Sequence, residues 1–119
     1  MKPKKATGSG RKVPPLAKSQ HQITHAQARR MRKRFLGLYG DKSGVGAPLA
    51  YGRNIFDKIL KDERVEGIRF YAGIDDEGRY TLLFCGIDAK GNDVLVGTIG
   101  DEPWRCPPFC SVTNGVLQF

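Results

Sequence analysis

The first forty residues contain no aspartate and no glutamate. Eleven lysines and arginines lie there (Lys2, Lys4, Lys5, Arg11, Lys12, Lys18, Arg29, Arg30, Arg32, Lys33 and Arg34), so this stretch has no internal counter-charge. The chain also lacks any long apolar run, which excludes a transmembrane helix, and its basic start has no apolar segment of the signal-peptide type. Cysteine is scarce: three residues with no framework spacing, which fits free thiols in a reducing cytoplasm better than a disulfide scaffold. The two histidines, His21 and His25, both fall near the basic start, and no serine or cysteine stands in a recognisable nucleophile context. The glycine-containing stretches "GSGRK" and "GDKSGVG" match neither phosphate-loop pattern and read as loop. No catalytic residues, cofactor or metal site is therefore assigned, and the chain reads as a binding protein rather than an enzyme.

What is present divides cleanly by charge. All twelve acids lie in residues 41–119, against nine bases, so the net charge of +8 belongs to the first third alone. Such asymmetry bears on partners and solubility rather than on fold. At 119 residues the chain supports one domain. Residues 1–22, rich in Lys, Gly, Ser and Pro, have the composition of a disordered basic tail, and 23–119 are expected to form a small domain ending in a strap over 101–119.

Thr24 and Gln27 have capping-box spacing, and Ala28, Met31, Phe35 and Leu38 recur as one apolar stripe. The pattern predicts a helix over 24–39 stopped by Gly40. A second amphipathic helix is expected over about 51–61, with Ile55, Phe56, Ile59 and Leu60 inward. From residue 66 the period falls to two, giving strands over 67–75, 79–88 and 93–100 joined by four-residue turns. The expected architecture is α+β: two N-terminal helices packed on a three-stranded antiparallel meander, α-α-β-β-β, as a two-layer sandwich. The central strand is apolar on both faces, so one face would await another partner.

On the first helix, Arg29, Arg30, Lys33 and Arg34 lie opposite the apolar stripe with no acid four residues away. Together with Lys2, Lys4, Lys5, Arg11 and Lys12 they form a basic module suited to nucleic acid or to an acidic protein surface. A plain solvated face with a solubilising tail is the competing interpretation. No aromatic side chain is interleaved with these bases, which weakens the case for a single-strand stacking platform.

The stretch Trp104–Arg105–Cys106–Pro107–Pro108–Phe109–Cys110 imitates a cysteine-pair motif. A polyproline path would hold the two cysteine Cα atoms about 12 Å apart. A disulfide needs about 4.4–6.8 Å, and two thiolates on one zinc must also converge. Unless a cis proline bends it, the segment is expected to be a strap carrying Trp104 and Phe109 to the uncovered sheet face, or to a second copy of the chain in a homodimer. Cys85, in the central strand, reads as a small core residue.

The run from "YGRNIFDKIL" through "EGIRFYAGIDDEGRYTLLFCGIDAKGNDVL" to "CPPFCS" resembles a group of small uncharacterised bacterial proteins with a helical start, a meander and a Cys-Pro-Pro-aromatic-Cys end. The resemblance spans about residues 23–111. It implies an α+β organisation and transfers no activity and no site.

Overall fold

In the computed structural model, residues 15–40 and 44–111 are described. Lys2, Lys4, Lys5, Arg11 and Lys12, most of the expected tail and the end of the expected strap lie outside them. A 3-10 turn over Leu16–Lys18 is followed by helix α1 (His25–Tyr39), strand β1 (Leu49–Ala50), helix α2 (Arg53–Leu60), strands β2 (Gly67–Ile74), β3 (Tyr80–Ile87) and β4 (Asp93–Gly100), and strand β5 (Trp104–Arg105). The strands form two separate antiparallel sheets. One is the meander β2-β3-β4 and the other is the pair β1-β5.

This corrects the expected α-α-β-β-β two-layer sandwich. The fold is α+β with two helices and a meander, but β1 and β5 add a second sheet, with Leu49 opposite Arg105 and Ala50 opposite Trp104. Two-residue strands carry no period, so nothing in the sequence pattern announces them.

Helix cover departs from expectation as well. The capping box at α1 forms as its spacing implies: the Thr24 hydroxyl accepts from the Gln27 amide, and the Gln27 side chain accepts from the Thr24 amide. Yet α1 buries no residue. Its C-terminal half leans on the following loop, where Arg32 Nη1 donates to the Gly46 carbonyl (3.2 Å) and the Phe35 ring lies against Gly46. Met31 and Leu38 remain 56% and 72% exposed.

Of the two helices, α2 is the one that packs extensively on the meander, against β3 and β4. Its Phe56 ring stacks on Phe84 of β3 at 5.0 Å between centroids. Tyr51 meets the same Phe84 edge-on at 4.8 Å, and Phe70 of β2 packs beside it at 5.4 Å. Phe84 is fully buried and centres the core on the α2 side, while Cys85 and Ile87, which alternate with it along β3, are buried on the other side of the sheet. Opposite Phe84 in β4 sits Gly100. A Cβ there would overlap the Phe84 ring, so the aromatic cluster needs a residue without one.

The β3–β4 register shifts between Cys85 and Gly86, which pair with Ile99 and Val94 respectively. The intervening stretch of β4 bulges outward and leaves Leu95 and Val96 exposed. On the sheet face carrying Cys85, Arg69 Nη1 bonds Asp93 Oδ1 at 2.7 Å, and the Tyr71 hydroxyl donates to the same carboxylate. Among the described residues no helix is long and apolar enough to cross a membrane.

Candidate functional site

A cleft of about 880 Å³ lies between the β2–β3 turn and the segment 101–109. Its first wall is ordered by Asp75. One carboxylate oxygen accepts from the amides of Glu77 (2.9 Å) and Arg79 (2.8 Å), and the other accepts from Arg79 Nε (3.0 Å). This is an Asx-type turn, closed by Gly78 at φ +80°. These hydrogen bonds favour the ionised form, so the Asp75 carboxyl is held below the usual carboxylate range, chiefly by the Arg79 amide.

The second wall begins where β4 ends. Thr81, buried in β3, donates its hydroxyl to Asp101 at 2.6 Å. Glu102 adopts φ +63°, uncommon outside glycine, and reverses the chain toward β5. Arg105 then ties the two walls together: one guanidinium nitrogen donates to the Tyr80 carbonyl and the other lies 3.3 Å from Asp75 Oδ2. Pairing with β1 continues one residue further, the Cys106 amide donating to the Pro48 carbonyl (3.0 Å).

The cysteine segment corrects the expectation of an extended strap with separated thiols. Both the Cys106–Pro107 and Pro107–Pro108 peptide bonds are cis, and the Phe109 amide reaches back to the Arg105 carbonyl at 2.9 Å. The chain therefore doubles back, the cysteine Cα atoms approach to 4.6 Å and a Cys106–Cys110 disulfide forms. The expected separation of about 12 Å assumed trans prolines throughout. Trp104 and Phe109 do not cover the sheet face. Their rings meet each other, centroids 4.9 Å apart, and stay 64% and 59% exposed at the cleft.

Charge at the cleft is mixed, with acid in excess. Asp75, Asp76, Glu77, Asp101 and Glu102 face Arg79 and Arg105, five carboxylates against two guanidiniums. In the sequence Asp75, Asp76 and Glu77 are simply turn residues between two strands, where solvated carboxylates are expected. Nothing local marks Asp101, Glu102 and Arg105 as their neighbours, because that convergence depends on the β1-β5 pairing. The exposed aromatics at 104 and 109 were the available signal.

The second feature is the outer face of α1. Arg29, Arg30, Lys33 and Arg34 are all exposed along it. Arg32 departs from them, its guanidinium lying over the Phe35 ring at 5.6 Å. Among the described residues Arg29, Arg30 and Arg34 have no carboxylate partner.

One cluster has the letters of a catalytic site: Arg69, Tyr71, Cys85 and Asp93. Burial pushes the Cys85 thiol up, and neighbouring Asp93 pushes it further. A protonated sulfur only 2% exposed is a core group rather than a nucleophile. Among the described residues no group of three or more His, Cys, Asp and Glu side chains converges as metal ligands.

Fold and cleft together define a class by architecture alone: a small α+β chain with a helix-covered meander and a disulfide-closed cleft. No family model, no curated protein and no solved structure matches the chain.

Proposed function

We propose that the chain is a non-enzymatic binding protein that contacts nucleic-acid backbone through the outer face of α1 together with the basic stretch preceding it. The observation behind this reading is the exposed row Arg29, Arg30 and Arg34, unpaired among the described residues, in a region of forty residues without an acid. Cations held this way on a capped helix repel one another, and a phosphate row relieves that repulsion. Binding of this kind is sequence-independent and releases counterions, so affinity falls steeply with salt.

Gel shifts with a random duplex at two salt concentrations test it. Replacing Arg29, Arg30, Lys33 and Arg34 with Gln should reduce the slope of log affinity against log salt by about 0.9 for each phosphate that is no longer neutralised. An unchanged slope, or no binding at low salt, overturns the reading. A nucleic-acid partner also implies a cytoplasmic site of action, whereas a Cys106–Cys110 disulfide is the form expected in an oxidising compartment. The redox state of that pair in cells discriminates directly between the two.

A second reading, protein association or a homodimer, is favoured by a different observation. Met31 and Leu38 of α1, Phe70 and Ile74 of β2, and Val96 of the bulge are all exposed apolar side chains. Light scattering across a concentration series separates the two, since a strict monomer is incompatible with the homodimer.

A further inference from the structure

The cleft and the basic first residues are opposite in charge, and the chain between Leu16 and those residues is long enough to bring them together. We propose that the cleft binds the N-terminal segment of its own chain, with Lys2, Lys4 and Lys5 as the groups it recognises.

Charge is the first ground. Five carboxylates against two guanidiniums leave the cleft three negative charges in excess. Asp76 and Glu102, on opposite walls, have no ion pair among the described residues, while Asp75 and Glu77 are engaged by arginines. The segment "KPKK" brings three cations within four residues.

The surface chemistry is the second. Trp104 and Phe109 present two touching rings, each more than half exposed, beside those acids. An aromatic face next to a carboxylate suits an ammonium on an aliphatic stem, the ring attracting the cation and the stem covering the ring. Pro3, between the lysines, supplies the flat apolar side that aromatic grooves accept from extended proline-containing peptides.

Reach is the third. Leu16 lies against Gly67 and Ile87, at one end of the β2–β3 hairpin, and Ile74 lines the cleft at the other. The seven steps from Gly67 to Ile74 span about 24 Å. The eleven steps from Leu16 back to Lys5 extend to about 36 Å, so Lys2, Lys4 and Lys5 reach the cleft with slack. Arg11 and Lys12, at most about 17 Å from Leu16, do not. The inference stands independently of nucleic-acid binding, and its consequence would be that part of the basic module is covered until a stronger polyanion competes.

Trp104 is the only tryptophan, so its emission reports on the cleft directly. The experiment compares acrylamide quenching of the full chain with that of full-length K2Q/K4Q/K5Q and full-length D76N/E102Q, at about 20 mM and about 500 mM salt. The expected result is about twofold stronger quenching in both variants at low salt, with the unaltered chain rising to match them at high salt. A synthetic peptide of residues 1–14 added to K2Q/K4Q/K5Q should restore the protection, and added to D76N/E102Q should not. Equal quenching of all three proteins at low salt overturns the proposal, as does a difference that persists at high salt. Protection that grows with protein concentration would place the segment in a second copy and overturns docking within one chain. The substituted side chains are in the segment or are exposed and unpaired, and equal thermal midpoints for the three proteins check that the fold is intact.

Discussion

The two helices reverse the ranking that local signals would assign them. α1 runs fifteen residues with a complete capping box, whereas α2 runs eight from Gly52, which makes no side-chain capping bond. Yet α1 buries nothing, and α2 places Phe56 and Ile59 in the core. Capping and periodicity decide that a helix exists; its contribution to the fold depends on whether its apolar stripe meets a matching surface. α2 is followed closely by β2 and faces the Phe84–Gly100 pair, where the missing Cβ leaves room for stacked rings. α1 is held by the loop at Gly46 and turns its stripe largely to solvent.

The sharpest way to break this contrast is to truncate one apolar residue in each helix. Phe56→Ala removes the ring stacked on Phe84 and should cost about 3–5 kcal/mol in unfolding free energy. Met31→Ala, on the stripe of α1, should cost no more than about 0.5 kcal/mol, as for an exposed position. Urea titration measures both. A cost for Met31→Ala comparable to that for Phe56→Ala would mean that α1 is packed in solution, which would also remove the apolar surface invoked for a homodimer.

Next in size is the disulfide, which gives the C-terminal segment a constraint that α1 lacks. Closing so short a loop restricts the unfolded chain by about 2 kcal/mol on chain-entropy grounds. Cys106→Ser with Cys110→Ser should therefore lower stability by about that amount and increase the mobility of Trp104, read by fluorescence anisotropy. α1 should be unaffected, its amide protection unchanged. Unaltered stability and anisotropy would show that Arg105 and the β1-β5 pairing hold the cleft without the bond.

How much of this was legible follows the range of each interaction. The helices and the three meander strands are written in side-chain periods of 3.6 and 2 and in short turns, all set by near neighbours, and they lie within a few residues of their expected bounds. The β1-β5 sheet is written nowhere locally. It joins Leu49 and Ala50 to residues more than fifty positions away, and without it neither the second wall of the cleft nor the position of Arg105 can be deduced. The cysteine segment fails for another reason. Its geometry turns on the isomeric state of two proline bonds, for which the letters Cys-Pro-Pro-Phe-Cys are equally valid in either form. The basic face of α1 was fully visible, because a helical period and a list of charges suffice to place it.

The smallest effect concerns the turn that carries the acidic wall of the cleft, and it sharpens the contrast between an acid fixed by hydrogen bonds and the unpaired bases of α1. Asp75 is held below the ordinary carboxylate range, first by the Arg79 amide and then by the Arg79 guanidinium and the Glu77 amide. A carboxyl whose folded pKa is depressed contributes stability that is fully present above its unfolded value, about 3.9, and is lost as pH falls through the folded one. Asp75→Asn keeps an oxygen acceptor for the turn amides but loses the ionised form and its pairing with Arg79 and Arg105. The thermal midpoints of the two proteins should therefore differ at pH 6, with the asparagine variant lower. The gap should narrow below about pH 4 as the wild-type carboxyl takes up its proton. A gap that stays constant down to pH 2 would mean that the charge of Asp75 does not stabilise the turn, and that the backbone geometry at Gly78 holds this wall by itself.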